Sequence, residues 1–254
     1  MVILIEPKNK FAFCFVACAP VRITPYDESE IVSQIVFGEP LEIISLNKNW
    51  SRIKSYIDGY EGFVDPKQLL PLSKKEFEKW NNEYCFFKPL EGKLIVNEEL
   101  YRIPRGSFVG KENLFFIGKH QYQNLSAEVN LTLWEVATQY VNTPYLWGGK
   151  TPWGIDCSGL TQVIYRIFGF MLPRDAAIQG TQGTVIEYKN KKSGDLAFFE
   201  NSDRKITHVG IIGSENKIIH AAGFVKVDLI TEDGIWNEKY QKLTHRLAQI
   251  RRVL

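Results

Sequence analysis

Three residues have the types and spacing for nucleophilic catalysis: Cys157, His208 and His220. Cys157 follows a Pro/Gly-rich loop, NTPYLWGGKTPWGID, and opens an apolar-periodic run. Leu160, Val163, Ile164, Ile167 and Phe168 fall at i, i+3, i+4, i+7 and i+8, which makes one buried face of a helix. Gly169 stands where a left-handed residue ends such a helix. Cys157 is therefore predicted at the helix N-terminus, where unpaired N–H groups and the helix dipole stabilise an anion and lower a thiol pKa. Asp156 suits the N-cap. A thiol in this position is a nucleophile that still needs a base.

The two histidines can supply it. His208 lies in THVGII and His220 in KIIHAAG, short β-branched runs joined by Gly-Ser-Glu-Asn, so they read as a hairpin. Their separation is even. With a loop centred near Ser214, the two side chains lie across from each other on one face. One ring then takes the thiol proton and the other orients it. The competing reading is structural, because cysteine is among the most buried residue types and a strand histidine is often a core polar group.

Wider motifs bear on that choice. PYLWGG, DCSG, GDLAFF, HVGI and IIHA, in this order and spacing, resemble the NlpC/P60 family of cysteine peptidases over roughly Leu131 to Leu254. The resemblance implies Cys157 as nucleophile on a cell-wall peptide amide, His208 as base and His220 as its orienter. It implies Tyr145, 12 residues before Cys157, as an oxyanion donor beside the Cys157 N–H. Members with bacterial SH3 (SH3b) domains in front act as γ-D-glutamyl-L-diamino acid endopeptidases on peptides with a free N-terminal L-Ala. In those members Asp175 matches an acid that binds the amine, and Asp156 and Ser158 match its flanking positions. Arg174 borders the same cleft. Tyr60, in DGYEGFV, matches a tyrosine that an SH3b domain places over the amine, with Tyr56 as the alternative. Read from the residues alone, Asp156 is also an N-cap, Asp175 a loop residue or an ion-pair partner of Arg174, Tyr145 a packed aromatic and Tyr60 an SH3 core residue. Trp147 reads as a loop-packing side chain. His120 and His245 have no motif around them and receive no role.

These residues need elements to position them. Residues 1–72 read as an all-β SH3b domain, with VR near the start, the Gly38-Glu39 turn, Trp50 and DGYEGFV carrying the likeness. Residues 73–124 read as a connector plus a degenerate second SH3b domain, with turns at Glu91-Gly92 and Pro104-Arg105-Gly106. Residues 125–254 read as the peptidase domain. There Thr132 and Glu135 offer a capping box for LTLWEVATQYV, the segment MLPRDAAIQGTQG is a loop with few apolar anchors, ITEDGIWNEKY is a loop or short helix, and RLAQIRRVL is a last strand. Helices followed by an antiparallel sheet predict an α+β domain behind the SH3-like barrel or barrels, and the resemblance to the NlpC/P60 family implies that it is papain-like.

Composition narrows the function classes. The 254 residues are 44% hydrophobic and 24% charged, as in an ordinary globular chain. A net charge of +2 carries no argument for nucleic acid or membrane partners. The four cysteines form no C-x-x-C pair, which argues against zinc, and no metal or organic cofactor is implied. No stretch reaches the ~18 apolar residues that span a bilayer. FAFCFVACA at 11–19 follows Lys8 and Lys10 as a secretory signal would. The strand pattern behind it favours a buried first strand and a cytoplasmic protein, with an exported form as the alternative. The resemblance implies peptidoglycan-derived peptides as partners, and a monomer is favoured. The enzymatic alternative is an exported wall hydrolase with SH3b domains as wall-binding modules, and the non-enzymatic one is a muropeptide-binding protein.

Overall fold

Strict alternation along FAFC feeds two cores from one strand. In β1 (Phe11–Cys14), Ala12 and Cys14 join Ile35, Leu41, Ile53 and Val64, whereas Phe13 joins Phe37, Leu70, Leu72, Phe77 and Trp80. The computed structural model describes residues 5, 6, 8–47, 49–127 and 129–254; the expectations for residues 1–4, 7, 48 and 128 lie outside the described residues. Its contacts divide the chain into Met1–Val129 with Lys150–Pro152, and Asn130–Gly149 with Trp153–Leu254.

In the first unit, β1 is followed by β2 (Cys18–Arg22), β3 (Ile31–Val36), β4 (Pro40–Leu46), β5 (Ser51–Ser55), β6 (Glu61–Val64) and β7 (Leu69–Leu72). They form one antiparallel sheet in the order β3-β2-β6-β5-β4-β1-β7. The run 11–19, expected as a single strand, is two, because β1 pairs with β4 and β7 while β2 pairs with β3 and β6. Helix α1 (Lys74–Glu83) starts at a Ser73–Glu76 capping box and drives Phe77 and Trp80 into the second core. That core is completed by β8 (Tyr84–Phe86), β9 (Glu91–Val96), β10 (Glu99–Pro104), β11 (Phe108–Gly110), β12 (Leu114–Ile117) and β13 (His120–Asn124). The strands after α1 therefore bury their apolar faces against those before it. The turn expected at Glu91-Gly92 falls inside β9; the chain reverses at Asn97-Glu98, where φ is +49° and +69°, as a type I′ turn requires. The two-residue strand β14 (Lys150–Thr151) also belongs to this unit, and its Lys150 ammonium lies 3.8 Å from the buried Glu39 carboxylate.

The second unit opens with α2 (Leu133–Thr138), capped by the expected Thr132–Glu135 box but shorter than the predicted run. After β15 (Gly154–Ile155) come α3 (Cys157–Ile167), α4 (Ala176–Gln179), β16 (Thr184–Ile186), β17 (Leu196–Glu200), β18 (Ile206–Ile212), β19 (Lys217–Ala222), β20 (Phe224–Ile230), β21 (Gly234–Asn237) and β22 (Lys242–Arg252). The sheet order is β16-β22-β17-β18-β19-β20-β21, and a further β21–β22 pairing closes β17 to β22 into a ring. The segment expected as a loop or short helix contains β21, and this strand makes the closure. Helix α3 packs on β18 and β19. It is buried all round rather than on one face, with Thr161, Gln162 and Arg166 covered as well. Its end is a Schellman motif: Phe170 N–H donates to the Tyr165 carbonyl, Gly169 N–H donates to the Arg166 carbonyl, and Gly169 has φ +87°. Phe168 caps the helix and is partly exposed, so it leaves the predicted buried face.

Candidate active site

Asp156 organises the N-terminus of α3. Its Oδ1 accepts the Gly159 N–H at 2.7 Å, which is the N-cap bond, and the Ser158 hydroxyl at 3.2 Å. Its Oδ2 accepts the Gly148 N–H at 2.8 Å, so the carboxylate also pins the preceding loop. Arg174 completes the cluster. Its guanidinium grips both carboxylate oxygens and donates to Ser158 Oγ at 2.8 Å, with all three residues buried. Sequence reasoning found few apolar anchors in the loop holding Arg174, and the anchors are polar. Gln179 on α4 donates to the Ser158 and Pro173 carbonyls and accepts from Thr161 Oγ1, and it is fully buried.

The sulfur of Cys157 is buried and receives backbone N–H groups from Val209 and Ser158. Val209 immediately follows His208, so α3 delivers the thiol to the segment of β18 that carries the first histidine. His208 shares a strand face with Ile212, and His220 shares one with Ile218; Ile212 and Ile218 lie in the core cluster that also holds Ile230 and Ile235. The two histidines thus form a polar continuation of an apolar face. The hairpin register is one residue later than expected. Gly210 opposes His220, and Glu215 and Asn216 turn the loop with φ +54° and +58°, so the histidines are diagonal rather than directly opposed. They still meet, with His208 Nε2 2.9 Å from His220 Nδ1.

Charge in the site follows from burial. Burial first, and the Asp156 charge second, push the Cys157 thiol up to about 11, against the Val209 and Ser158 N–H groups and Arg174. The lowered thiol pKa expected at a helix terminus is therefore absent, because desolvation outweighs the terminal N–H groups. Burial and the neighbouring His220 and His245 hold His208 well below the usual imidazole range. His220 is lowered by burial, with Asp228 opposing. At rest Cys157 is a neutral thiol and His208 a neutral imidazole. Burial and the charges of Cys157 and Asp156 raise the Tyr145 phenol to about 12, so it stays protonated. Its backbone is held by a 3.0 Å bond to the Gly223 carbonyl, just past the His220 strand.

Asp175 is exposed at the N-cap position of α4, without a side-chain capping bond. Tyr60 and Tyr56 lie in the first unit. Tyr60 is half-buried, and its N–H donates to Asp58 Oδ1 at 3.1 Å; Tyr56 is exposed and meets the Phe77 ring edge-on. Trp147, expected to pack its loop, is 58% exposed.

Three residues here escaped sequence reasoning. Asp228 on β20 lies 3.0 Å from His220 Nε2, and Asn237 on β21 donates to Asp228 at 3.1 Å. The signal for Asp228 was legible, since a reversal at Gly223 continues the alternation and places a lone acid of FVKVDLI on the histidine face. His245 reaches the site from β22, its ring stacked on His208 at 4.3 Å and 24°. Nitrogens of His208, His220 and His245 lie within 4.8 Å of one another. Those of His208 and His220 are directed at each other, and His245 Nδ1 lies 2.9 Å from Thr244 Oγ1.

Comparison with known proteins finds matches over both parts of the chain. A model described as the NlpC/P60 family covers residues 142–245, and one described as a bacterial dipeptidyl-peptidase Sh3 domain covers residues 21–69. The chain is 38% identical over 218 residues to the gamma-D-glutamyl-L-lysine dipeptidyl-peptidase of Bacillus subtilis (strain 168), spanning 76% of this chain and 73% of that protein. It is 35% identical over 228 residues to dipeptidyl-peptidase 6 of Lysinibacillus sphaericus, spanning 76% and 81%. An NlpC/P60 family protein from Bacillus cereus ATCC 10987 has the same fold, with a TM-score of 0.80 at 18% identity over 96% of this chain and 99% of that one. With a thiol at the head of a buried helix, two bonded histidines on the sheet against it and an SH3-like domain earlier in sequence, the chain is a cysteine peptidase of the NlpC/P60 family.

Proposed function

We propose that the chain cleaves the γ-D-glutamyl–diamino acid bond of peptidoglycan stem peptides that carry a free N-terminal L-Ala. The observation that carries the reading is the seat of the Cys157 sulfur against the N–H of Val209, the residue after His208, whose Nε2 is 2.9 Å from His220 Nδ1. His208 takes the thiol proton as the sulfur attacks the γ-D-glutamyl carbonyl carbon. The tetrahedral oxyanion accepts the Cys157 N–H and the Tyr145 hydroxyl. His208 then gives its proton to the departing diamino-acid amine as the C–N bond breaks. Water, with His208 again as base, hydrolyses the thioester and frees L-Ala-γ-D-Glu. Removing the Tyr145 hydroxyl as Tyr145→Phe should cost about 2.7–4 kcal/mol of transition-state stabilisation.

The substrate class rests on the names of the relatives, three of which are dipeptidyl-peptidases similar over most of their length. Asp175 is the acid proposed to pair with the substrate amine, because it is exposed whereas Asp156 is buried. Asp156, Ser158 and Arg174 then support the cleft. A free-amine requirement excludes stems still acylated by muramic acid, so the enzyme acts on released fragments, in recycling and in a cytoplasmic setting.

Mass spectrometry of digests of L-Ala-γ-D-Glu-diaminopimelate and its L-lysine counterpart, with and without an N-acetyl group, tests this. Cleavage of the free peptides alone, abolished in Cys157→Ala and strongly reduced in Asp175→Ala, is the expected result. Cleavage of acetylated and free peptides alike would instead indicate a wall hydrolase, and binding without cleavage a muropeptide-binding protein.

A further inference from the structure

The histidine pair does not end at His220. Behind it runs a chain of hydrogen bonds that ends on the protein backbone. The Tyr240 N–H donates to Asn237 Oδ1 at 3.0 Å. A backbone N–H cannot accept, so the Asn237 carbonyl is fixed toward it and the amide nitrogen must face the other way. That nitrogen donates to Asp228 Oδ1 at 3.1 Å. Asp228 Oδ2 lies 3.0 Å from His220 Nε2. A carboxylate only accepts, so the single proton of neutral His220 sits on Nε2 and its Nδ1 is a lone pair. His220 Nδ1 therefore accepts from His208 Nε2–H at 2.9 Å. The proton of His208 is then accounted for, and its Nδ1 carries the lone pair.

We infer that Asp228, held by Asn237, is a positioning residue that sets the direction of the relay and keeps His208 in the one tautomer able to receive a proton at Nδ1. The inference rests on the reading of Cys157 as nucleophile and His208 as base. Without an acceptor at position 228, the reverse chain is available: His220 holds its proton on Nδ1 and donates to His208 Nε2, which moves the His208 proton to Nδ1 and removes the base. Burial keeps both rings neutral, which is the condition under which tautomers matter. Partial burial pushes the Asp228 carboxyl up, but the bonds from His220 and Asn237 and the charge of Lys226, 4.0 Å away, outweigh it and hold the group below its usual range. His245, stacked on His208, is the other titratable ring facing the relay.

The substitution that tests this is Asp228→Asn. Because Asn237 is oriented by the Tyr240 N–H, the new amide turns its oxygen to Asn237 and its NH2 to His220 Nε2, which reverses the relay at nearly constant shape. Lys226 favours the opposite orientation but from 4.0 Å, against a direct 3.1 Å bond from Asn237. The double variant Asp228→Asn/Asn237→Asp repairs the polarity: the carboxylate now at position 237 accepts from the amide NH2 at position 228, which returns the amide oxygen to His220. In the single variant kcat should fall by roughly 100- to 10,000-fold, as when the acid behind a catalytic histidine loses its charge, with circular dichroism unchanged. Nitrogen-15 NMR should show the His208 proton moving from Nε2 to Nδ1. In the double variant the proton should return to Nε2 and kcat should recover to within about tenfold of wild type, one step of about 1.4 kcal/mol. A single variant that keeps wild-type kcat while Cys157→Ala is inactive would overturn the inference alone. So would a loss of rate with the His208 proton still on Nε2. Activity in Cys157→Ala would overturn the nucleophile reading instead, and the NMR would still decide whether Asp228 sets the tautomer.

Discussion

At Cys157 two effects oppose each other. The helix terminus and the N–H groups of Val209 and Ser158 favour the thiolate, while burial and the Asp156 carboxylate favour the thiol, and the second pair wins. On the proposed mechanism the reaction therefore starts from the thiol and a neutral imidazole, and proton transfer to His208 accompanies attack. Iodoacetamide alkylation of Cys157 should rise steadily through neutral into alkaline pH, toward an inflection at about 11. A rate already level by neutral pH would show a preformed ion pair. For kcat/KM, the form that works has His208 neutral. Because burial lowers that ring well below its ordinary 6.5, activity should persist as pH falls through 6.5, with the acid limb displaced below it. An acid limb centred at 6.5 or above would contradict this placement of His208.

Helix α3 is held as an element by contacts that no larger residue could share. A Cβ on Gly159 would lie 2.1 Å from the Gly149 carbonyl oxygen and 3.1 Å from Asp156 Oδ1. The first turn of α3 thus lies directly on the loop that Asp156 pins through Gly148. Gly159→Ala should destabilise the fold by at least about 1–3 kcal/mol, the usual cost of overpacking. It should also lower kcat by shifting Cys157 relative to β18, at conditions where circular dichroism still shows a folded protein. The measurement is a urea melt alongside steady-state kinetics. Wild-type stability and rate would mean that the loop moves aside freely. At the far end of the helix, Gly169 meets nothing within 4 Å, so there only its φ of +87° requires glycine.

At the scale of the whole molecule, two buried histidines and one partly buried one make stability depend on pH with a definite sign. His208, His220 and His245 all have folded pKa values below 6.5, the last at about 4, with burial the largest cause in each. Above 6.5 neither state is protonated and the three rings contribute no pH dependence. Below 6.5 the unfolded chain takes up protons first, so stability falls as pH drops from 6.5 toward the folded values. Thermal melts should show Tm decreasing over pH 6.5 to 4. His245→Phe, which keeps a ring to stack on His208, should shallow that slope. An unchanged slope in the variant would remove His245 from the acid response.

How far the sequence reaches can be judged residue by residue. Cys157 at a helix start, the Asp156 cap, the Thr132–Glu135 box, the left-handed Gly169 and the face shared by His208 and His220 were all legible, because each depends on groups within about one turn or one strand of each other. The extent of α3 followed from the same local periodicity. What lay outside its reach joins atoms far apart in the chain or depends on what surrounds them. The one-residue shift of the hairpin, the closure of β21 onto β22, and the reach of His245 to His208 are set by pairing partners that local pattern does not name. The thiol pKa turned on desolvation, which exists only once α3 is packed against β18 and β19. The polarity of the relay turned on Tyr240, Asn237 and Asp228, and hydrogen bonds acquire a direction only when donors and acceptors are brought within about 3 Å in a folded protein. Sequence alone singled out the groups proposed for the chemistry, because their types and spacing are local, and the tertiary structure decided their burial and the hydrogen bonds behind them.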